Sequence, residues 1–343
     1  MAETRKLQVL KCPACNAKLT YFFAFEQAIT CPVCHNRMER PLSQAVDASM
    51  PMRYVLPTMD VEGFKHLMAQ TLVDTDYVPC DVFQAITAQD VFCIYLPMYL
   101  YEGTYQVAWS GNGANQQQLH GNATGKMAYL FLANDGKGEL PKELRDFTAC
   151  LPYDTEALSP FVAENIDATD SHILTALSAM SAEDVWKKWG KAHTDELAMR
   201  SVHAQIGNQK VRKLMTSTNI ELTNQGELLY VSFYFTYYTY NNHRYSFIAD
   251  GQGKHQSYNN PIDKRESSYV RNKRILLFVV KWLWMLAALV WIAYDYRFAL
   301  GYLVVWAIGK IIVDRVIKQL ISRRLKISKM KRQADAEHFR NQD

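Results

Sequence analysis

Hydrophobic and polar positions along the chain follow three different periods. Val61, Phe64, Leu67, Met68 and Leu72 recur at three- and four-residue spacing, which predicts an amphipathic helix over 59–73 with Asp60 as its N-cap. Residues 170–206 show the same period and read as two helical pieces broken near Ser181, with Ser181 capping the second. Aromatic and β-branched residues dominate 90–110 and 228–249, with a returning strand at 123–133 and the Gly/Asn/Gln-rich run 111–122 as its loop. Asn241-Asn242 predicts a tight turn, and Asp250-Gly-Gln-Gly253 an exit turn. The third pattern has no polar face: 275–294 and 298–313 are nearly continuous apolar runs, each with one lysine, Lys281 and Lys310.

Apolar runs of that length suit a hydrocarbon core about 30 Å thick, so the expectation is a transmembrane helical hairpin over 270–317 with only Asp295–Arg297 outside. Five basic residues precede the first apolar run at 275 and eight follow the second within 314–332, which places both flanks on the cytoplasmic side. The tail, 318–343, reads as a basic amphipathic helix: Leu320, Ile321, Leu325 and Ile327 alternate with Arg323, Arg324, Lys326, Lys329, Lys331 and Arg332. Such an element next to a span is expected to dock on anionic membrane lipid. Residues 314–332 carry eight cations against the one acid Asp314, a net +7 in a chain of net +4, so the remainder is −3 and the body is not a polyanion binder.

Candidate chemistry is concentrated at the other end. Cys12-Pro-Ala-Cys15 and Cys31-Pro-Val-Cys34 form a C-x2-C-x15-C-x2-C array. Two such knuckles supply four thiolates for one tetrahedral Zn²⁺, the pattern of a structural site with no open position. Residues 1–40 then form a zinc ribbon, with 19–25 and 28–30 as its strands and Pro13 and Pro32 stiffening equivalent turns. Six basic and three acidic residues there, set against the −2 of a four-thiolate zinc site, leave too little positive charge for phosphate contacts, so nucleic acid is a disfavoured partner. Three further cysteines are scattered, and the odd total of seven argues against a disulfide framework and for a reducing compartment. Nothing enzymatic emerges. Gly121-x3-Gly125-Lys126-Met127 is one residue short of a phosphate loop, Asp74/Asp76 and Asp167/Asp170 read as solvated acids, and His193 and His203 lack partners.

The domain reading is therefore a ribbon at 1–40, a linker at 41–52, an α+β domain at 53–262, the hairpin at 270–317 and the tail at 318–343. The fold class is multidomain α+β. The two aromatic runs look alike, Tyr95-x-Pro97-x-Tyr99 against Tyr230-x-Ser232-x-Tyr234, which suggests two related β units around 90–133 and 228–253.

The order of parts resembles bacterial membrane-anchored zinc-ribbon proteins encoded beside phage-shock-protein-A-like and SPFH (flotillin-like) proteins. The residues that carry the resemblance are the four cysteines, Tyr95-x-Pro97-x-Tyr99 with Gly103-x-Tyr105, Tyr245-x-Phe247-x-x-Asp250-Gly251-x-Gly253, and the late apolar pair. Gln252-Gly253 departs from the Thr-Gly such proteins tend to carry after the Asp/Asn-Gly. With the charge-derived orientation, the expectation is a two-pass protein of the bacterial cytoplasmic membrane with both termini inside, and the resemblance implies that it acts at the inner face of that membrane. The resemblance also implies a non-enzymatic adaptor that joins a hetero-oligomeric envelope-stress complex with those proteins. The competing expectation is a membrane-tethered nucleic-acid-binding regulator.

Overall fold

The computed structural model describes residues 3–25, 28–39, 42–85, 90–113, 117–134, 140–154, 157–167, 170–294 and 299–340. The chain divides into two compact units, Met1–Val61 with Asp90–Thr236 and Phe247–Ser257, and Glu62–Gln89 with Tyr237–Ser246 and Tyr258–Asp343.

The first unit is built on one large, mostly antiparallel sheet. Its N-terminal strands are β1 (Glu3–Lys11), β2 (Lys18–Tyr21), the small pair β3 (Ile29–Thr30) and β4 (Arg37–Met38), β5 (Ser43–Met50) and β6 (Arg53–Val55). Ser43–Met50, expected as a linker, is a strand, because it pairs with β1 along eight positions from Leu10↔Ser43 to Glu3↔Met50. The ribbon is thus continuous with the body: β2 also meets β11 (Ile173–Thr175) through Thr175↔Thr20.

Two long strands form the spine, β7 (Phe92–Asn112) and β12 (Arg212–Tyr240), with β8 (Gln118–Leu132) on the far side of β7. β7 and β12 run antiparallel and place Tyr95 opposite Ser232 and Pro97 opposite Tyr230. The two similar aromatic runs are therefore direct partners in one sheet. Their rings pack in T-shaped geometry, Tyr95 on Tyr230 at 6.4 Å and Phe22 on Tyr230 at 5.8 Å, with Phe161 completing the cluster. Tyr95 and Tyr230 meet diagonally across the strand pair, a cross-strand contact that stabilises the sheet. The short strands β9 (Cys150–Pro152) and β10 (Leu158–Pro160) extend the sheet beside β8 and β6.

β12 starts well before the predicted 228, because Leu214, Ile220 and Leu222 give it an inward face against a helix. That helix runs from α4 (Ala182–Val185) through a π-helical turn at Trp186–Gly190 into α5 (Lys191–Ile206). Ser181 caps it, its side chain accepting from the Asp184 N–H at 3.2 Å. Residues before it, predicted helical by their apolar period, contain β11 instead. A bulge brings Gly226, at φ +98°, against α4, where a Cβ would lie 2.7 Å from the Ala182 Cβ.

The second unit holds α1 (Val61–Asp74), the short α2 (Val82–Ala85), the hairpin tip Tyr237–Ser246, α6 (Lys264–Tyr294) and α7 (Ala299–Arg340); the first residue of α1 falls in the other unit. Within the first unit lies α3 (Lys142–Thr148). Strand β13 (His243–Asp250) returns from β12 through Asn241 and Asn242, both at positive φ, and pairs with β14 (Gln256–Tyr258). Of the five predicted apolar positions of α1, Phe64, Met68 and Leu72 are buried, Leu67 is half-buried and Val61 is exposed.

The expected hairpin requires correction. Among the described residues, no helix is long and apolar enough to cross a membrane. The two-pass topology with both termini on the cytoplasmic side is withdrawn with it, and the fold class reduces to α+β with C-terminal helices. The helices α6 and α7 pack antiparallel, as the pairs Glu266–Ser328, Lys281–Asp314 and Trp284–Gly309 require. Lys281, inside the first apolar run, pairs at 2.8 Å with Asp314, just past the end of the second, and α7 is a single helix of 42 residues that includes the basic segment. Exposed apolar side chains remain on both helices, Phe278 and Ile311 among them. The connection 295–297 lies outside the described residues.

The basic tail is not a separate element. Arg332 is 3% exposed and donates to the carbonyl oxygens of Val73 at 3.0 Å, Thr75 at 3.1 Å and Val78, at and beyond the C-terminus of α1. Lys329 pairs with Asp74 in the same region. Two of the six cations assigned to lipid are thus engaged within the protein.

Candidate metal centre

The two cysteine knuckles are near copies of each other. In each, the N–H of the residue after the second cysteine closes back on the first: Asn16 N–H donates to the Cys12 carbonyl at 2.9 Å, and His35 N–H to the Cys31 carbonyl at 2.8 Å. Cys12 N–H donates to Ala17 O at 2.9 Å, and Cys31 N–H to Asn36 O at 3.0 Å. Closing so tight a turn forces the residue after each pair into left-handed backbone, φ 61° at Asn16 and 59° at His35, a conformation in which Asn and His are enriched among non-glycine residues. The knuckles thereby turn successive backbone N–H groups toward sulfur. Cys12 Sγ accepts from the N–H groups of Cys15 and Ala14, and Cys31 Sγ from those of Cys34 and Val33.

β1 leads into the first knuckle and β2 leaves it, while β3 and β4 flank the second. This brings the four Sγ atoms of Cys12, Cys15, Cys31 and Cys34 within 4.8 Å of one another. Cys12 and Cys34 sulfurs are 3.6 Å apart, and Cys15 and Cys31 sulfurs 3.7 Å. A disulfide needs about 2.05 Å, so neither pair is one. A regular tetrahedron with metal–sulfur bonds of about 2.3 Å has edges of roughly 3.8 Å, close to these two separations. Cys12 and Cys31 are buried, and Cys15 and Cys34 are partly exposed. Four cysteines so arranged could hold a metal ion, and the donor set is complete without solvent.

The thiols differ in their surroundings: Cys12 is lowered, whereas Cys15 and Cys31 are raised, chiefly by burial. Burial pushes the Cys12 thiol up, but the backbone N–H donors of Cys15 and Ala14 outweigh it and bring it down to about 7. Cys31 is held high, chiefly by burial. Among the described residues the Tyr21 hydroxyl is buried without a hydrogen-bond partner, and its pKa is raised chiefly by burial, with a smaller contribution from Cys31.

No family model, curated protein or solved structure matches this chain. Its function has to be read from its own residues.

Other sequence candidates are dispersed. Asp74 serves Lys329, and Asp170 accepts from the His172 backbone and lies 3.0 Å from its Nδ1. The His172 Nε2 lies 3.7 Å from Asp90 and the ring packs on Phe92 at 5.3 Å, an acid–His–acid clamp that the sequence reading did not find although Asp170-x-His172 was its signal. His193 sits between Tyr129 and Phe131, and burial lowers its pKa. Asp250 is consumed by its own turn, accepting from the N–H groups of Lys254 and His255 and pairing with His255 Nδ1 at 2.7 Å.

Proposed function

We propose that the Cys12/Cys15/Cys31/Cys34 centre holds one structural Zn²⁺ and that the chain is a non-enzymatic adaptor whose zinc ribbon recruits partner proteins. The observation that carries this reading is the closed four-sulfur cluster: with every coordination position taken by thiolate, the metal has no vacancy for substrate and its contribution is to folding. Zinc is favoured over other ions because four thiolates at tetrahedral spacing without a redox partner are its commonest structural environment. The ribbon's small net charge supports protein rather than nucleic-acid contact. The resemblance noted above points to phage-shock-protein-A-like and SPFH-type proteins as the partner class, in a hetero-oligomeric stress complex.

The test combines metal analysis with capture. Full-length protein should contain about one zinc per chain, and chelation or Cys31→Ser should remove it and increase amide exchange over 3–50. Wild-type protein should retain a phage-shock-protein-A-like or SPFH-type protein in cross-linked pull-downs, and Cys31→Ser should lose it. Iron in place of zinc would overturn the metal assignment. A zinc-dependent, salt-sensitive shift of DNA with no protein capture would overturn the adaptor role.

A further inference from the structure

Within the second unit, a cleft of about 500 Å³ lies between α7 and the start of α6. Its α7 wall is one helical stripe, Leu320, Arg323, Arg324, Ile327, Ser328 and Lys331, at spacings of three and four residues. The opposite wall contributes Asp263, Glu266 and Tyr269. That volume falls in the range of small-molecule sites, roughly 300–1,000 Å³.

The charges in it do not cancel locally. Asp263 spends its Oδ1 on the N–H groups of Arg265 and Glu266, as the cap of α6. Glu266 is 3% exposed, accepts from Ser328 at 3.3 Å, and is raised in pKa chiefly by burial, so its negative charge is weakened where it stands. Among the described residues, Arg323, Arg324 and Lys331 have no carboxylate within ion-pair distance. Arg324 does have a fixed place: its guanidinium lies 4.4 Å from the centre of the Tyr269 ring, a contact that holds it against the wall. The first turn of α6 adds the positive end of a 31-residue helix. Arg323, Arg324 and Lys331 all line the same cleft, and like charges along one wall raise the local concentration of anions.

We infer that this cleft is a binding site for a phosphate-bearing small molecule, with Arg323, Arg324 and Lys331 as its phosphate ligands. Arginine matches phosphate oxygens with two parallel N–H donors, and Lys331 supplies a point charge two turns away. Leu320 and Ile327 give the cleft an apolar edge that would suit an attached chain or ring. The shared chemistry is a phosphate mono- or diester carried either by a soluble metabolite or by a lipid headgroup.

Calorimetric titration of the full-length protein at physiological salt tests the assignment, with inorganic pyrophosphate and short-chain dihexanoyl phosphatidic acid, kept below its micelle concentration, as separate probes. Saturable binding is expected for at least one. Tighter pyrophosphate binding identifies a soluble phosphate as the source, and tighter lipid binding identifies the headgroup and the use of Leu320 and Ile327. Arg324→Ala and Lys331→Ala should each weaken binding by about tenfold or more, with Lys326→Ala, on the same helix outside the cleft, unchanged. Two variants at separate points of the cleft keep the result readable if one fails to fold. Absence of saturable binding to both probes, equal loss in Lys326→Ala, or displacement by the same concentration of chloride would overturn the site.

Discussion

Replacing Arg332 by methionine isolates the contribution of one guanidinium, because methionine keeps the apolar stem and removes only the donors. Arg332 is almost fully buried and serves three carbonyl groups, those of Val73, Thr75 and Val78. Val73 belongs to the last turn of α1, whose carbonyls have no partner within the helix. A charged hydrogen bond contributes about 1.5–3 kcal/mol, and each buried acceptor left unpaired costs about 1–3 kcal/mol. The three contacts share one donor group and do not add fully, so a loss of about 3–5 kcal/mol is expected. Arg332→Lys, with one ammonium for three carbonyls, should lose roughly half as much. The change should also be felt at Glu266, since the Arg332 charge opposes the burial that raises its pKa. The double substitution Arg332→Met/Glu266→Gln should therefore cost less than the sum of the two. Urea unfolding of the full chain gives the magnitude, and amide exchange over 62–78 should accelerate first. A loss below about 0.5 kcal/mol for Arg332→Met, or an equal loss for the exposed Lys326→Met, would refute the view that the C-terminal segment is anchored by this residue.

Two further outcomes follow from buried geometry. The folded-state pKa of Glu266 lies above its unfolded value, so the folded protein binds more protons between the two, and stability falls as pH rises from about 4.3 through the raised value. Glu266→Gln should remove that slope and match or exceed wild type at neutral pH in urea midpoints, and an unchanged pH profile would count against the assignment. Gly226→Ala combines a left-handed backbone position with a Cβ placed 2.7 Å from Ala182 and 3.0 Å from the Tyr101 hydroxyl, so a loss of about 2–4 kcal/mol is expected in thermal or denaturant unfolding.

Local chemistry is legible in the sequence where the signal is short in range. The knuckle spacing locates four sulfurs that the structure brings together, and the apolar period of 59–73 locates the buried face of α1. Asn241-Asn242 marks a turn that the backbone adopts. Pairings between distant segments are what the sequence hides. Ser43–Met50 is too polar to announce a strand, because its inner positions pair with β1 and most of its side chains face outward. Residues 212–227 look featureless since so many of their positions are polar, although Leu214, Ile220 and Leu222 already show the two-residue period. The apolar runs of α6 and α7 read as spans by hydropathy, a measure that carries no information about the partner helix or about Lys281 meeting Asp314 across it. Arg332 looks like one more cation on a solvated face, and only the three-dimensional position of α1 makes it a buried anchor.

The pairing of β1 with both β2 and β5 also bears on the order in which the protein can be made. Every strand of the ribbon, both knuckles and the flanking β5 lie within the first fifty residues, so they can assemble while later segments are still being synthesised. The strand that joins the ribbon to the spine, β11, begins only at Ile173. If the four cysteines hold a metal as proposed, its early capture would present a finished β2 edge as a template on which the remaining sheet registers. A ribbon starved of metal would leave that edge unformed at the moment β11 and β7 emerge, and the error would be written into the body of the fold rather than confined to its first segment.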